Sequence, residues 1–309
     1  MRTSSGAKRA PKLQRLSLRD RPLFERYLHR GPHRLLLYSF ANIYIWQGLF
    51  EIYWTLIDDA LCVFFKDACG CFMYLPPLSA GFDPATVRSA WTVMDGFNRN
   101  PAVSRIENIE EDAVAGFSGC GLDCFEKSGD YLYRRSAMAA LAGDRFKSKR
   151  ADCNYFLKHH GGFVWRPYQK KDKAACIALY DRWAGGRAAK YSDPLYCGLL
   201  ADSRNAFMHL LGAYGPLDAV GRVVECGGRL AACTFGCAVS PRVFCVQYEV
   251  AEPAMRGLSQ YVFRRFCEEL DTYEYINAMD DSGLENLTRV KLSYHPEVVL
   301  KNYVARTRN

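Results

Sequence analysis

The stretch from Arg242 to Leu270 carries the clearest structural pattern in the sequence. It begins Arg-Val-Phe-Cys-Val-Gln-Tyr-Glu-Val (242–250), continues as Ala-Glu-Pro-Ala-Met (251–255), and ends Arg-Gly-Leu-Ser-Gln-Tyr-Val-Phe-Arg-Arg-Phe-Cys-Glu-Glu-Leu (256–270). Apolar and aromatic residues fill the first segment as they do in a buried strand, and a proline interrupts the second. In the third segment, apolar residues recur at helical spacing at Leu258, Val262 and Phe266. The stretch therefore predicts a strand that leads through a tight turn into a helix.

Gly257 lies at this turn. Glycine lets a backbone come close to a neighbour, and the first N–H groups of the following helix can bind an anion or an oxyanion. Further along, the pattern predicts a strand within 273–278, a helix over 283–292 and a last strand over 298–306. The region thus alternates strand and helix, and its charged residues gather at one junction.

Four motifs resemble the C-terminal catalytic region of the phosphatidylglycerol lysyltransferases. They are Glu-Val-Ala-Glu-Pro-Ala-Met-Arg-Gly-Leu-Ser-Gln (249–260), Asp-Ser-Gly-Leu (281–284), Lys-Leu-Ser-Tyr-His-Pro (291–296) and Lys-Asn-Tyr-Val-Ala-Arg (301–306). The likeness runs from about residue 16 to 306 and is closer to stand-alone soluble proteins that share this region. The resemblance implies an α+β fold of two tandem GNAT-type mixed sheets flanked by helices, a relation to Fem-like aminoacyltransferases, and aminoacyl transfer from a charged tRNA.

A chain of 309 residues exceeds the usual size of one hydrophobic core, which favours two domains. We expect a basic disordered tail (1–15), an N-terminal GNAT-like domain (16–142), and a C-terminal GNAT-like domain with the active site (143–309). The first half predicts a hairpin over 51–65, a helix capped by Asp83, and a closing pair of strands at 122–127 and 131–133. The second half predicts helices over 171–183 and 193–211, separated by a linker at Gly185 and Gly186.

The net charge of +8 is unevenly distributed. Residues 1–34 hold ten Lys or Arg against two acids, and residues 134–173 hold eleven against three. Each segment therefore carries +8, and the remainder is acidic. This asymmetry indicates a phosphate-bearing partner, either RNA or anionic lipid head groups. We expect Lys147, Lys149 and Arg150, in the basic helical joint over 134–160, to contact the phosphates of tRNA or lipid.

The 13 cysteines include no Cys-x-x-Cys pair, and many lie in apolar runs. This usage fits reduced, buried thiols, and we expect no metal site. The apolar run over 35–57 is interrupted by polar residues, so we interpret it as core and not as a membrane span. The first fifteen residues lack the apolar centre of a secretory signal. We therefore expect a cytoplasmic protein, with contact to the inner face of the membrane as an option.

Acyl transfer from an ester needs a positioned nucleophile, donors for the oxyanion, and a route for the proton. Carboxylates can hold the amino group of an aminoacyl donor or act as a base, and tyrosine can donate a proton. The candidate catalytic residues are Asp280, Asp281, Glu285 and Tyr294. The candidate substrate-binding residues are Arg256, Gly257, Gln260, Arg289 and Lys291. Two alternatives stay open: Glu285 and Arg289 have the spacing of a surface ion pair, and Tyr294 can be a buried packing residue.

GNAT-type enzymes that use coenzyme A usually carry small residues at this turn, which let backbone amides surround the pyrophosphate. This chain has Ser259 and Tyr261 instead. We therefore expect no cofactor, with aminoacyl-tRNA as co-substrate and a lipid, peptide or small amine as acceptor. A coenzyme A-dependent N-acyltransferase is the first alternative. A non-catalytic module that binds nucleic acid or an anionic membrane is the second.

Overall fold

A computed structural model describes residues 11–191 and 193–308. The described part contains ten α-helices, joined by short 3-10 turns, and twelve strands. The strands are β1 (Gln14–Arg15), β2 (Glu51–Ile57), β3 (Ala60–Lys66), β4 (Cys71–Met73), β5 (Ile106–Glu110), β6 (Leu122–Arg134), β7 (Val164–Pro167), β8 (Val220–Cys226), β9 (Arg229–Ser240), β10 (Val243–Ala251), β11 (Tyr275–Asn277) and β12 (Val298–Thr307). The helices are α1 (Arg21–Leu28), α2 (Phe40–Ile45), α3 (Pro84–Phe97), α4 (Val114–Gly119), α5 (Arg135–Ala140), α6 (Lys147–His159), α7 (Lys173–Lys190), α8 (Pro194–Gly212), α9 (Leu258–Glu269) and α10 (Glu285–Leu292).

The described chain divides into two compact units that are discontinuous in sequence. The first comprises 11–31, Phe50–Lys127 and 302–308, and the second comprises Pro32–Leu49 and Ser128–Lys301. These units do not follow the expected ranges 16–142 and 143–309. The reason is that the end of β12 pairs with β5, while α2 packs on α8. Whether either range folds independently stays a prediction.

In the first unit, the strand order is β1-β2-β3-β4-β5-β12. Only the β4–β5 pair is parallel among these described pairs. The predicted hairpin is present, with Asp58 and Asp59 at its turn in the left-handed region. Asp83 caps α3, as predicted, by accepting hydrogen bonds from the backbone N–H groups of Ala85 and Thr86. α3 then packs against β2, β3 and β4, which closes the core of this unit.

In the second unit, the strand order is β6-β11-β10-β9-β8-β7. β10 runs parallel to β11, and a turn at 226–229 joins β8 to β9. Tyr248 contacts α8 through a hydrogen bond to the Ser203 carbonyl, whereas its neighbour Glu249 contacts Ser259 of α9. Because successive side chains of a strand point to opposite faces, helices cover both faces of this sheet. The α+β class expected from the sequence is confirmed.

Three local predictions are wrong. β6 is one strand and not two, because Gly129 makes no turn but admits a close approach: a Cβ there would lie 2.7 Å from Cγ1 of Val299. α7 continues through the exposed Gly185 and Gly186, because packing of the helix as a whole on α8 and β9 outweighs the weak helix propensity of two glycines. Residues 1–10 of the expected disordered tail lie outside the described residues, but Gln14 and Arg15 of that tail pair with β2.

Candidate active site

The second unit contains an opening between two parallel strands. β10 pairs with β11 only from Val243 to Cys245, and within the described strands β10 continues to Ala251 while β11 ends at Asn277. A bulge between Val246 and Tyr248 shifts the register of β10 on β9. Beyond Cys245 the backbone of β10 therefore has no strand partner on its β11 side. We call this place the β10–β11 opening.

Glu249 lies on β10 at this opening. Its side chain is half-buried, and its carboxylate accepts a hydrogen bond of 2.5 Å from the hydroxyl of Ser259, in the first turn of α9. Burial raises the pKa of Glu249 to about 7, against the opposing effects of the Ser259 hydrogen bond and the charge of Lys291. A carboxyl group that titrates near neutral pH can both take up and release a proton, as general acid–base catalysis requires.

Two buried polar side chains beside Glu249 lack hydrogen-bond partners in the described structure. Thr234 is the cross-strand neighbour of Glu249, and its hydroxyl is unpartnered. Gln247 is 7% exposed, and neither its amide oxygen nor its amide nitrogen has a partner. Gln247 lies at the bulge between Val246 and Tyr248, two residues before Glu249 on the same strand. Buried polar groups are nearly always paired, so these atoms suit a ligand that the bare chain does not hold.

Lys291, from α10, is held by the chain just after β11. Its ammonium donates hydrogen bonds to the carbonyl of Ala278 and, at 3.1 Å, to that of Met279. Met279 has a φ of 64°, a left-handed conformation that a non-glycine residue adopts at a cost. Burial lowers the pKa of Lys291, while the charges of Asp280 and Asp130 raise it. The strained backbone thus presents two carbonyls to one cation.

Asp130 is the most buried of the acids near Lys291. It accepts hydrogen bonds from the Leu36 N–H at 3.0 Å and from the Asn277 side chain at 2.7 Å. Burial raises the pKa of Asp130 to about 6, although Asn277, Leu36 and Lys291 oppose the rise. Asp130, Asn277 and Lys291 therefore form a charged network at the end of β11.

The predicted acids Asp280 and Asp281 differ in their surroundings. Asp281 accepts hydrogen bonds from Tyr131 at 2.7 Å, from Thr288 at 2.6 Å and from the Gly283 N–H at 3.0 Å. Burial raises the pKa of Asp281, but these bonds outweigh it and the result lies below the ordinary value. Asp280 is half-buried and accepts one long bond of 3.3 Å from Ser282. Asp281 therefore holds the loop together, and Asp280 keeps more capacity for a ligand.

At the predicted turn, Gly257 has a φ of 83° and precedes α9. A Cβ at Gly257 would lie 2.0 Å from the carbonyl oxygen of Asp152, so α6 packs directly on this turn. The exposed Arg256 pairs with the Asp152 carboxylate at 3.3 Å, and Gln260 is half-buried. The chain itself thus places a carboxylate and a carbonyl where an anion at this helix N-terminus would bind.

The remaining predicted catalytic and substrate residues lie elsewhere in the second unit. Tyr294 is buried, and its ring packs edge-on against Phe263 at a centroid distance of 5.2 Å. Burial raises the pKa of Tyr294 well above its usual range, which fits the alternative that Tyr294 is a buried packing residue. Glu285 and Arg289 form a pair at 3.6 Å whose side chains are 86% and 72% exposed. This is the surface ion pair that their spacing allowed.

The three predicted phosphate-binding residues of the basic joint have different surroundings. Lys147 is exposed, whereas the Lys149 ammonium lies 4.2 Å from the ring centroid of Tyr294 and burial lowers its pKa. Arg150 donates hydrogen bonds to the carbonyls of Leu141 and Gly143, after the end of α5. Lys147 therefore keeps the greatest freedom to reach an external phosphate.

Sequence reasoning placed Glu249 in a motif but assigned it no role, and it assigned none to Asp130, Gln247, Thr234 or Asn277. A signal was present in part, because Gln247 and Glu249 are polar residues within an otherwise apolar strand. Among the described residues, no group of three or more His, Cys, Asp or Glu is arranged to hold a metal ion. The described helices also include none with the length and hydropathy to span a membrane.

Comparison with known proteins bears on this arrangement. The chain is similar in fold to a Bacteroides thetaiotaomicron protein of unknown function, with 23% identity, a TM-score of 0.87, and coverage of 96% of this chain and 100% of the other. It is also similar to L-PGS from Bacillus licheniformis, with 14% identity, a TM-score of 0.64, and coverage of 93% and 92%. A tandem GNAT protein from the clavulanic acid pathway matches with 9% identity, a TM-score of 0.53, and coverage of 96% and 99%.

These neighbours confirm the tandem GNAT-type fold. Among curated proteins, no sequence matches the chain. The family model described as "Phosphatidylglycerol lysyltransferase, C-terminal" matches residues 32–306, which include the whole β10–β11 opening and the Asp130–Lys291 network. The chain therefore belongs to the phosphatidylglycerol lysyltransferase C-terminal family.

Proposed function

We propose that this chain is an aminoacyltransferase that moves an amino acid from aminoacyl-tRNA to the hydroxyl of a lipid or to another acceptor. One observation carries the proposal: Glu249, with a pKa of about 7, lies beside the unpartnered buried polar atoms of Gln247 and Thr234. Membership of a lysyltransferase family supports the reaction class. Apart from its two substrates, the proposed reaction uses only side chains of this protein.

In the proposed reaction, Glu249 takes the proton from the acceptor hydroxyl as its oxygen attacks the ester carbonyl of the aminoacyl-tRNA. The amide N–H of Gln247 donates a hydrogen bond to the carbonyl oxygen as it becomes negative. The bond between the carbonyl carbon and the ribose oxygen of tRNA then breaks, and Glu249 returns the proton to that oxygen. No covalent enzyme intermediate forms.

The charged network positions the donor in this proposal. Asp280 pairs with the α-ammonium of the amino acid, and Lys291 keeps the neighbouring loop in place through its bonds to Ala278 and Met279. Gln260 and Arg256, at the start of α9, face the acyl donor, while Lys147 contacts tRNA phosphate. The reaction takes place in the cytoplasm, where charged tRNA is made, and a lipid acceptor is reached at the inner face of the membrane.

Packing at the α9 N-terminus supports tRNA over coenzyme A as donor. A pyrophosphate there would meet the carboxylate of Asp152, which already pairs with Arg256. Burying a second anion beside this carboxylate would be unfavourable. No cofactor is therefore part of the proposal.

The test supplies the pure protein with total tRNA charged with radiolabelled amino acids, and with vesicles that contain phosphatidylglycerol. Label that appears in the lipid fraction, and that disappears with Glu249→Gln, is the expected result. Label that appears in an added peptide or amine instead would keep the reaction and change the acceptor. Acylation that needs acetyl-coenzyme A and ignores tRNA, or an absence of transfer to every acceptor, would overturn the proposal.

A further inference from the structure

The helical hairpin of α7 and α8 carries cations and aromatic rings near its tip. Arg187 and Lys190 lie in the last turn of α7, and the sequence has no acid between them, whereas Arg182 further back pairs with Glu252 at 3.7 Å. The Arg187 guanidinium lies 5.6 Å from the ring centroid of Trp183, and the Lys190 ammonium lies 5.4 Å from that of Tyr191. This end of the hairpin is therefore positive and aromatic.

Two leucines extend the same end as an apolar surface. Leu195 is 72% exposed and Leu199 is 37% exposed, and they lie four residues apart on α8. Residues at this spacing share one face of a helix. Tyr191 packs edge-on against Tyr196 at 5.7 Å, which joins the aromatic group to the base of the leucine face. A single exposed leucine is common on protein surfaces, but here two leucines on one helix face adjoin cations and aromatic rings.

The tip is firmly attached to the strand that carries Glu249. The Tyr180 hydroxyl donates to the carbonyl of Leu200 at 3.0 Å, which ties α7 to α8. The Tyr248 hydroxyl donates to the carbonyl of Ser203 at 3.0 Å, which ties α8 to β10. The exposed leucines and cations are thus presented on a braced hairpin and not on a loose loop.

These features match the interfacial zone of a lipid bilayer. Trp and Tyr prefer the head-group level, Lys and Arg are attracted to anionic lipids, and aliphatic side chains enter the acyl boundary. Nucleic acid would use the cations and the rings, but exposed leucines would gain little from a phosphate backbone. The combination of charge and aliphatic exposure therefore favours lipid.

We propose that this tip, defined by Trp183, Arg187, Lys190, Leu195 and Leu199, docks on the surface of an anionic phospholipid bilayer. The purpose of the docking rests on the proposed function, since it brings the chain to a lipid acceptor. The docking itself is measured without tRNA and without transfer, so either proposal can fail alone.

The experiment measures co-sedimentation of the full chain with vesicles of phosphatidylglycerol mixed with phosphatidylcholine, and with vesicles of phosphatidylcholine alone. We expect binding to the anionic vesicles, lowered about tenfold by Arg187→Gln with Lys190→Gln and by a similar factor by Leu195→Ser with Leu199→Ser. Added salt should weaken the contribution of Arg187 and Lys190 to binding and leave that of Leu195 and Leu199 unchanged. Circular dichroism confirms that each variant is folded.

Matched controls change exposed residues on other elements. Leu157→Ser alters an exposed leucine of α6, and Lys170→Gln with Lys171→Gln removes two exposed cations ahead of α7. These variants should bind vesicles as the unchanged protein does. Equal binding by the tip variants, or no binding to anionic vesicles, would overturn the proposal. Loss of binding to uncharged tRNA in the tip variants, with vesicle binding intact, would assign the surface to nucleic acid instead.

Discussion

Each unit contains a strand, a helix and a parallel strand, and each places a glutamate in or beside this motif, but the two glutamates have opposite settings. In the first unit, Glu107 on β5 is buried and bonded to both Lys127 and Arg105. Burial raises the pKa of Glu107, but the two cations outweigh it and the result lies below the ordinary value. In the second unit, Glu249 has Ser259 as its bonded partner, and its pKa rises to about 7.

The two motifs also differ at the N-termini of their helices and in the hydrogen bonds of their buried amides. Asp83 fills the N-terminus of α3 with its own carboxylate, whereas α9 begins at Gly257 without a side-chain cap. Asn98 in the first unit uses its whole amide, with bonds to Cys71 and Ser104, whereas Gln247 has none. The buried amide is thus satisfied in the motif of the first unit and unsatisfied in that of the second. This contrast is the one on which the proposed role of the second motif rests.

The largest difference between the two units should come from neutralising their glutamates. We expect Glu249→Gln to lower the rate of aminoacyl transfer by a factor on the order of 100 to 1,000, because a general base contributes that much. Glu107→Gln is the matched control and should keep the rate within about threefold, since its carboxylate serves only its own ion pairs. The measurement is the rate of label transfer from saturating charged tRNA, made under conditions in which both variants are folded. Equal losses in the two variants would remove the functional distinction.

A second test concerns the cations. Lys127 binds Glu107 directly, whereas Lys291 binds the carbonyls of Ala278 and Met279. We expect Lys291→Met to lower the free energy of unfolding by about 2–3 kcal/mol. The change leaves those carbonyls without a donor and removes a positive charge that stabilises the Asp130 carboxylate. Urea unfolding measures the change. The exposed Arg289→Met on the same helix should change it by less than about 0.5 kcal/mol, and an equal effect of both changes would contradict the assigned role of Lys291.

The two amides offer a third test. Replacing Asn98 by Leu should lower the free energy of unfolding by about 2 kcal/mol, because the N–H and carbonyl of Cys71 lose their partners. Gln247→Met should leave stability equal or higher, because it removes polar atoms that have no partner, yet it should slow transfer about tenfold. Thermal unfolding and the transfer assay are run on the same samples. A clear loss of stability in Gln247→Met would mean that its amide is satisfied in solution.

The pH dependence of stability provides the fourth test. Because the pKa of Glu249 is raised to about 7, the folded state holds this proton more tightly than the unfolded chain. Its contribution to stability is therefore complete at low pH, declines as the pH rises towards 7, and is constant above. Relative to the unchanged protein, Glu249→Gln should gain about 2 kcal/mol of unfolding free energy between about pH 5 and about pH 8.

Glu107→Gln serves as the control for this dependence, with the opposite sign. The pKa of Glu107 is lowered, so its stabilisation is present above the pKa of the unfolded chain and is lost only as the pH falls through the folded value. Its variant should be less stable than the unchanged protein by a nearly constant amount across the same range. Urea unfolding at each pH measures both. Parallel curves for Glu249→Gln and the unchanged protein would show that Glu249 is ionised at neutral pH without penalty.

Sequence patterns were reliable where the cause was local. The β10, α9 and β12 elements, the hairpin of β2 and β3, and the Asp83 cap follow from side-chain periodicity and from groups a few residues apart. They failed at Gly129, which lies against a neighbouring strand, and at the exposed Gly185 and Gly186, which the surrounding helix carries through. Propensity is a weak guide wherever tertiary contacts decide the outcome.

Residue order and spacing were enough to predict the class of fold, the family resemblance and the strand, turn and helix around Gly257, because all three depend on neighbours along the chain. The surroundings of each acid, in contrast, became visible in the fold alone. The sequence does not distinguish Asp280, Asp281 and Glu285. In the structure, Asp281 accepts hydrogen bonds from Tyr131 and Thr288, whereas Glu285 is exposed. Burial raises the pKa values of two other acids, Glu249 and Asp130. Burial and partners come from residues distant in the chain, and they set the free energy of each charge.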